Sequence, residues 1–438
     1  MKTERLYQQN VYLKQCESTI LEVITDLKTM KNLGAKEQPN TFCLILDKTV
    51  FFPEGGGQPS DIGFINDCPV SYVFEKDNIV YHQLASPSSS FLGASIENAC
   101  GKTVTCQIDW NRRFLHMQMH CGEHILSGMF YQEYGGVNRG FHMGSDYMTI
   151  DIRLEEKPEF THFTEDMVSN VERLANKAIW SNVPVSVHYF QKKSEAEVFP
   201  VRKKLEIEEN ISIVCVGSKD NPADCVACCG THPSTAGQVG LIKIIRMENY
   251  KGMTRFTVKA GQNAYNHFVL EHKVLTPLCE RFSAEPHQLL EKIKIQEKKS
   301  SAVRKELYEL KKKMIGNEIQ KIESLYASLS TNVLFPPFKG SFSNPIMIQS
   351  YDYFNTDDLQ TLGRHVTASI KGLLILVCEP ALTVLLFSNG KPDCGQLVRE
   401  NADIYQGKGG GNATCARAIF TKTENLETYL DLLEKHLR

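Results

Sequence analysis

Two short stretches more than a hundred residues apart, His120-Cys-Gly-Glu-His124 and Cys228-Cys-Gly-Thr-His232, place the tightest constraint on this chain. Each carries a pair of nitrogen or sulfur donors four residues apart. Together they supply three or four soft or borderline donors, a set that suits one zinc ion better than other common metals. A spacing of four puts both imidazoles of the first pair on one face of an α-helix. The second pair surrounds a glycine and a threonine, the composition of a tight loop. One ion held by both pairs draws a helix and a remote loop together. That is more typical of an enzyme than of a structural zinc, which more often uses two matched Cys-x-x-Cys knuckles.

The chain has 438 residues, enough for about two to four domains. A net charge of −2 and 23% charged residues are those of an ordinary soluble protein. No run reaches the roughly eighteen apolar residues of a membrane span. The opening Met1-Lys-Thr-Glu-Arg-Leu-Tyr7 lacks the apolar core of a secretory signal. A cytoplasmic protein is therefore expected, with its fourteen cysteines as reduced thiols and metal ligands. A nucleic-acid partner would be held by local basic patches, because the global charge offers no field.

Short runs rich in β-branched and aromatic residues (Thr41–Leu46, Val70–Phe74, Ile79–His82, Lys102–Ile108) predict a small β-barrel in the first hundred residues. Phe51 to Gly63 interrupts it with the triple glycine Gly55, Gly56, Gly57 and then Gln58, a loop able to bring backbone amides close to a ligand. A helix from Asn111 to about Tyr134 carries the histidines. The strand Tyr147–Ile152, a helix with Val168, Val171, Leu174, Ala175, Ala178 and Ile179 at helical spacing, and four further strands complete a mixed domain ending near Gly261. From about His267 to Ser330 the stripe Leu289, Ile293, Val303, Leu307, Leu310, Met314, with polar Gln296 and Ser300 in its middle, predicts one long amphipathic helix or a hairpin arm. Beyond it, apolar runs at 373–377 and 382–387, helices at Asp357–Ile370 and Asn425–Leu437, and a glycine-rich turn at Gly407–Asn412 predict an α/β unit.

Each metal pair alone is a common occurrence, and Cys225-x-x-Cys228 also reads as a redox pair. A third histidine in register, His116, leaves both 116/120 and 120/124 open as helical pairs. His120-Cys-Gly-Glu123-His124 is also the inverted zinc-protease pattern, in which Glu123 would activate water and a glutamate downstream (Glu195, Glu197 or Glu206) would complete the site. That reading leaves the glycine loop and the Cys-Cys-Gly-Thr-His loop without a role. A non-catalytic binding or scaffold protein with a structural zinc is the other alternative.

Phe52-Pro-Glu-Gly-Gly-Gly-Gln-Pro59, Arg113-Phe-Leu-His-Met-Gln-Met-His-Cys-Gly-Glu-His-Ile-Leu126 and Cys228-Cys-Gly-Thr-His232 follow one another in this order. They resemble the editing half of alanyl-tRNA synthetase and, most closely, the free-standing alanyl-tRNA editing (AlaX-type) proteins in their long form. Leu6–Leu13, Ala236–Ile244 and Lys251–Gly261 extend the likeness across about residues 5 to 262. The arm and Gly407-Lys-Gly-Gly-Gly-Asn-Ala413 resemble, more loosely, the synthetase's C-terminal domain, and the continuation Thr414-Cys-Ala-Arg-Ala-Ile419 departs from its alanine- and glycine-rich run.

The resemblance implies an α+β chain: a β-barrel-like domain (1–108), a zinc-binding editing domain (109–262), a helical arm (263–331) and a C-terminal α/β domain (332–438). It implies a zinc-dependent aminoacyl-tRNA hydrolase acting in trans on seryl- or glycyl-tRNA specific for alanine. Zinc would be held by His120, His124, Cys228 and His232, with His116 outside the set, and Gly55, Gly56, Gly57 and Gln58 would line the site. Cys229 stands where many relatives have glycine, and His142 where synthetase-attached versions often have glutamine. Rejecting alanine while accepting serine needs a polar partner for the extra hydroxyl, and Thr231, Ser145 and His142 are the candidates. Lys298, Lys299, Lys311, Lys312, Lys313 and Lys408 are the candidate tRNA contacts. The apolar stripe of the arm, or the last domain, is the expected seam of a homodimer.

Overall fold

The computed structural model describes residues 2–85, 99–329, 336, 338–341 and 344–436. The chain divides into two compact units, Met1–Leu278 and Cys279–Arg438. The expected boundary at 331/332 and the helix end at Leu437 lie outside the described residues.

Alternation of inward and outward side chains builds the first part. In Thr103–Ile108 the residues Val104, Cys106 and Ile108 are buried and their neighbours exposed, the period-2 signature of a strand with one face on a core. Six such strands close a barrel: β1 (Gln15–Ile24), β2 (Thr41–Leu46), β3 (Gly63–Ile65), β4 (Cys68–Lys76), β5 (Ile79–Ala85) and β6 (Thr103–Ile108). The order is β1-β2-β5-β4-β3-β6 with antiparallel neighbours, and β6 returns to β1.

Directly after the barrel comes α1 (Trp110–Tyr134). Asp109 caps its start by accepting from the Arg112 amide, and left-handed Gly135 ends it. Most side chains from Arg113 to Phe130 are buried, so α1 is a central helix rather than a surface one. Strands β7 (Gly136–Met143) and β8 (Met148–Leu154) follow, then α2 (Glu165–Trp180), whose stripe Val168, Val171, Ala175, Ile179 faces inward. Next come β9 (Val185–Lys192), β10 (Glu209–Ser218), β11 (Asn221–Ala227), β12 (Ile242–Tyr250) and β13 (Met253–Ala260). They form two sheets, β12-β13-β8-β7 and β9-β10-β11. Helix α1 packs closely on β11 because Gly128 has no side chain, and any Cβ there would collide with the Ala223 carbonyl.

Three expectations change. The cysteines are not all thiols: Cys215 and Cys225, directly opposed on β10 and β11, form a disulfide, so Cys225 is not the partner of Cys228. The region expected as one long helix or hairpin arm holds two helices, α3 (Gly261–Phe282) and the forty-residue α4 (Leu289–Ser328), parted at left-handed Ser283 and at Pro286. Glycines 409–411 do not make a turn. They lie in the edge strand Lys408–Gly411, where Cβ atoms at Gly409 and Gly411 would strike the neighbouring backbone.

In the second unit the sheet order is β14 (Phe338–Ser341), β15 (Asn344–Tyr351), β16 (Leu373–Cys378), β17 (Thr383–Ser388), β19 (Cys415–Ile419), β18 (Lys408–Gly411). In this sheet β15 and β16 are the one pair of described strands that runs parallel, joined by α5 (Thr356–Val366). The strands β16 and β17 are buried at every position, which explains their unbroken apolar runs. Helix α5 and the end of α4 (Ile322, Tyr326) cover one face, and α6 (Cys394–Asn401) and α7 (Thr423–His436) the other.

Candidate metal centre

Helix α1 presents His120 and His124 one turn apart, both 2% exposed. The loop after β11 brings Cys228 and His232 to them. Its first residue is pinned by a hydrogen bond from the Cys228 amide to the Ser212 carbonyl (2.9 Å). The donor atoms of His120, His124, Cys228 and His232 all lie within 4.8 Å of one another. Cys228 Sγ is 3.4 Å from both His120 Nε2 and His232 Nε2. Three imidazoles and one thiol at these separations fit zinc by donor chemistry. No carboxylate takes part in the cluster among the described residues; Glu195, one of the downstream glutamates of the protease pattern, accepts from the Gln191 amide instead.

The surroundings orient the ligands. Gln58 is fully buried: its Oε1 accepts from the Thr231 amide (3.0 Å) and lies 2.9 Å from His120 Nδ1, and its Nε2 donates to Thr231 Oγ1 (2.8 Å). A proton on His120 Nδ1 facing that oxygen leaves Nε2 as the ligand nitrogen. The turn that carries Gln58 is a two-residue hairpin: Gly55 and Gln58 exchange backbone hydrogen bonds, and Gly56 and Gly57 both have positive φ, which glycine alone adopts freely. Behind His124, Asp224 Oδ2 lies 3.2 Å from Nδ1, and Arg202 Nε donates to Asp224 Oδ1 (2.6 Å). Asp224 had no signal in the sequence, and Arg202 reads there only as part of the basic run Arg202-Lys-Lys204, because only the tertiary fold brings residue 202 to residue 224.

Electrostatics favour a ligand thiolate. Burial alone would raise Cys228, but the three histidines around it hold its thiol well below the ordinary value. Burial also opposes charge on His124, yet the Cys228 thiolate and Asp224 outweigh it and push that imidazole up to about 10. Burial takes His232 down to about 3, a neutral donor. A divalent cation would replace the proton on His124 as the charge that balances the thiolate. His116 stays outside the cluster, buried, and is lowered to about 3 by burial and by Arg112 and Arg113.

The cluster opens on a cleft of about 760 Å³ whose walls include His120, His124 and Cys228. Gly56, Gly57 and Cys229 form part of its rim, with Cys229 Sγ packed over Gly56. Lys2, Arg5, Arg139, Arg202 and Lys203 line it as well, and Glu123 is the one acidic lining residue among those described. The remaining residues expected at the site lie elsewhere. Gln58 and Thr231 stand behind the ligands, spending their polar groups on each other and on His120. Phe141 stacks near the His120 ring (centroids 5.4 Å apart), so its strand neighbour His142 points away and is exposed, as is Ser145. Of the arm lysines, Lys311 pairs with Asp358 (2.8 Å), and Lys298, Lys299, Lys312, Lys313 and Lys408 are exposed.

A closed barrel joined to a mixed domain, with a His₃Cys cluster whose donors are close enough to share one metal ion and a cleft lined by basic residues beside it, defines the class. The comparisons narrow that class. Residues 1–112 match the family described as tRNA synthetases class II (A), and residues 211–257 the one described as threonyl and alanyl tRNA synthetase second additional domain. The chain is 26% identical to the alanyl-tRNA editing protein AlaX-L of Pyrococcus horikoshii, over 99% of both chains. It is 26% identical to the alanine–tRNA ligase of Methanobrevibacter smithii over 98% of its own length and 45% of the ligase. It is 29% identical to the alanyl-tRNA editing protein Aarsd1 of Bos taurus, over 64% of this chain and 60% of that one. The similarity to the alanyl-tRNA editing protein AlaX-L thus runs over nearly the whole chain, in the family that the three ordered motifs resemble.

Proposed function

We propose that this chain is a trans-acting, zinc-dependent aminoacyl-tRNA deacylase that hydrolyses the ester joining serine or glycine to alanine-specific tRNA in the cytoplasm. The observation that carries the reading is the convergence of His120, His124, Cys228 and His232 at the foot of a cleft lined by five basic residues. The names of the relatives, alanyl-tRNA editing proteins and alanine–tRNA ligase, support the choice of tRNA. Such an ester is already activated, so the protein need only place it and supply water. Zinc bound there would add Lewis acidity to polarise the ester carbonyl or to make water more acidic.

The residues divide that work. Gln58 and Asp224 hold the rings of His120 and His124 in place. Gly56 and Gly57 let the barrel backbone approach the acceptor end, and Arg5, Arg139 and Lys203 face its phosphates. Lys298, Lys299, Lys312, Lys313 and Lys408 extend the phosphate contacts, and α4 or the last domain joins two copies in a homodimer.

The test is deacylation of alanine tRNA charged with serine, glycine or alanine, side by side. Serine and glycine should be released and alanine retained. A zinc chelator should stop release, added zinc should restore it, and rising salt should weaken tRNA binding steeply. A Cys228→Ala protein that carries no zinc yet deacylates at the full rate would refute the site.

A further inference from the structure

We propose that Glu123 receives the free α-ammonium group of the aminoacyl ester, so that the cleft selects unblocked amino acids. This rests on the deacylase reading and names a substrate contact within it. Glu123 precedes His124 on α1, is 5% exposed, and lines the cleft. Its Oε1 accepts from Ser127 Oγ and from Asn138 Nδ2, both at 2.6 Å, and those two side chains are themselves 3.0 Å apart. Two donors on one oxygen fix the carboxylate plane. The other oxygen, Oε2, has no protein donor among the described residues and lies 3.9 Å from His124 Nε2, the nitrogen left to face an ion once Nδ1 is beside Asp224.

Charge decides what that oxygen is for. An aminoacyl-tRNA end carries anionic phosphates and one amine, mostly protonated at neutral pH. Lys2, Arg5, Arg139 and Lys203 line the cleft, with Arg5 and Arg139 already paired to Glu75 and Glu155, and Arg202 is spent on buried Asp224; none of the five attracts an ammonium. Glu123 is the one carboxylate lining the cleft among the described residues, and a charge-assisted hydrogen bond to a fixed carboxylate is the strong kind. The amine is two bonds from the ester carbonyl carbon, so an ester seated at the cluster carries its amine to the neighbourhood of Oε2. A protein chain's ester or an N-acylated amino acid would leave Glu123 buried and unpaired, which penalises it.

The test uses the full zinc-loaded chain with seryl-tRNA and N-acetylseryl-tRNA. It adds calorimetric binding of 3′-seryl-amino-3′-deoxyadenosine, an amide that cannot be hydrolysed, and of its N-acetyl form. The unaltered protein should favour the free amine by about tenfold or more in kcat/KM and in binding. Glu123→Gln should bring both ratios near one, acting through KM, and Ser127→Ala, which loosens the carboxylate but keeps its charge, should reduce them partway. Equal handling of free and acetylated forms by the unaltered protein overturns the proposal. So does a Glu123→Gln loss confined to kcat and equal on both substrates, the mark of a water-activating base. If no serine is released from either tRNA, the deacylase reading falls, and analogue binding still decides whether Glu123 reads the amine.

Discussion

Gly230 has no side chain because the ring of His120 fills the space one would need: a Cβ built there would collide with Cε1 and Nδ1 of that imidazole. The same residue donates its amide to Cys228 Sγ at 3.3 Å, a bond that favours the thiolate. Gly230→Ala is therefore expected to push His120 out of line and lower zinc affinity by about 10–100-fold, the usual cost of disturbing a ligand's support. Competition against a chromophoric chelator would measure it, and unchanged affinity would show that the ring can yield. At this scale spacing marked two donor pairs and left His116 open as an alternative; the family resemblance singled out His120, His124, Cys228 and His232, which the fold brings together. The role of Gln58 was not legible. A glutamine after three glycines reads as part of a site wall, and only the folded chain reveals that its amide is buried against His120 and Thr231.

Between elements, one buried ion pair ties the glycine turn to the metal helix. Arg113 on α1 and Asp61 past the turn are both fully buried, with Arg113 Nε 3.0 and 2.9 Å from the two carboxylate oxygens. The guanidinium also donates to the Val50 and Val11 carbonyls, so it clamps both flanks of the turn. Asp61→Asn would leave Arg113 charged and unpaired in the interior, at a cost of about 3–5 kcal/mol. A fall of that size in unfolding free energy, read from urea denaturation, is the expected result, and a loss below about 1 kcal/mol would show the pair to be screened. The barrel strands β2 and β4 to β6 were legible as short runs rich in β-branched and aromatic residues. Strand β1 gave a weaker signal, because Glu17 and Glu22 interrupt its apolar positions, and β18 gave none, because glycine is depleted in strands.

Across the whole molecule, the two units carry separate cores, and α4 contributes to the second only through its last turns. Its earlier apolar residues are uncovered: Val303 is 62%, Leu307 53% and Leu310 55% exposed. A second copy of the chain paired along this stripe would cover them, as seams of this 4-3 spacing do in coiled coils. Leu307→Glu with Leu310→Glu should convert a dimer to a monomer in sedimentation equilibrium, and a monomeric unaltered chain at all concentrations would rule the pairing out. The stripe was readable in sequence, and so was its flaw at Gln296 and Ser300. The break at Ser283 was legible as well, because Ser283-Ala-Glu-Pro286 has the composition of a helix entry, and α4 begins just past that proline.

The bridge that Gln58 makes from a barrel turn to a helix and to a loop 173 residues further on has a consequence for biogenesis. A growing chain cannot finish this nest until the ribosome has released His232 and the barrel has seated beside it. Capture of a cation at this nest would thus come late, and the fraction of purified molecules carrying an ion would gauge how many had matured correctly.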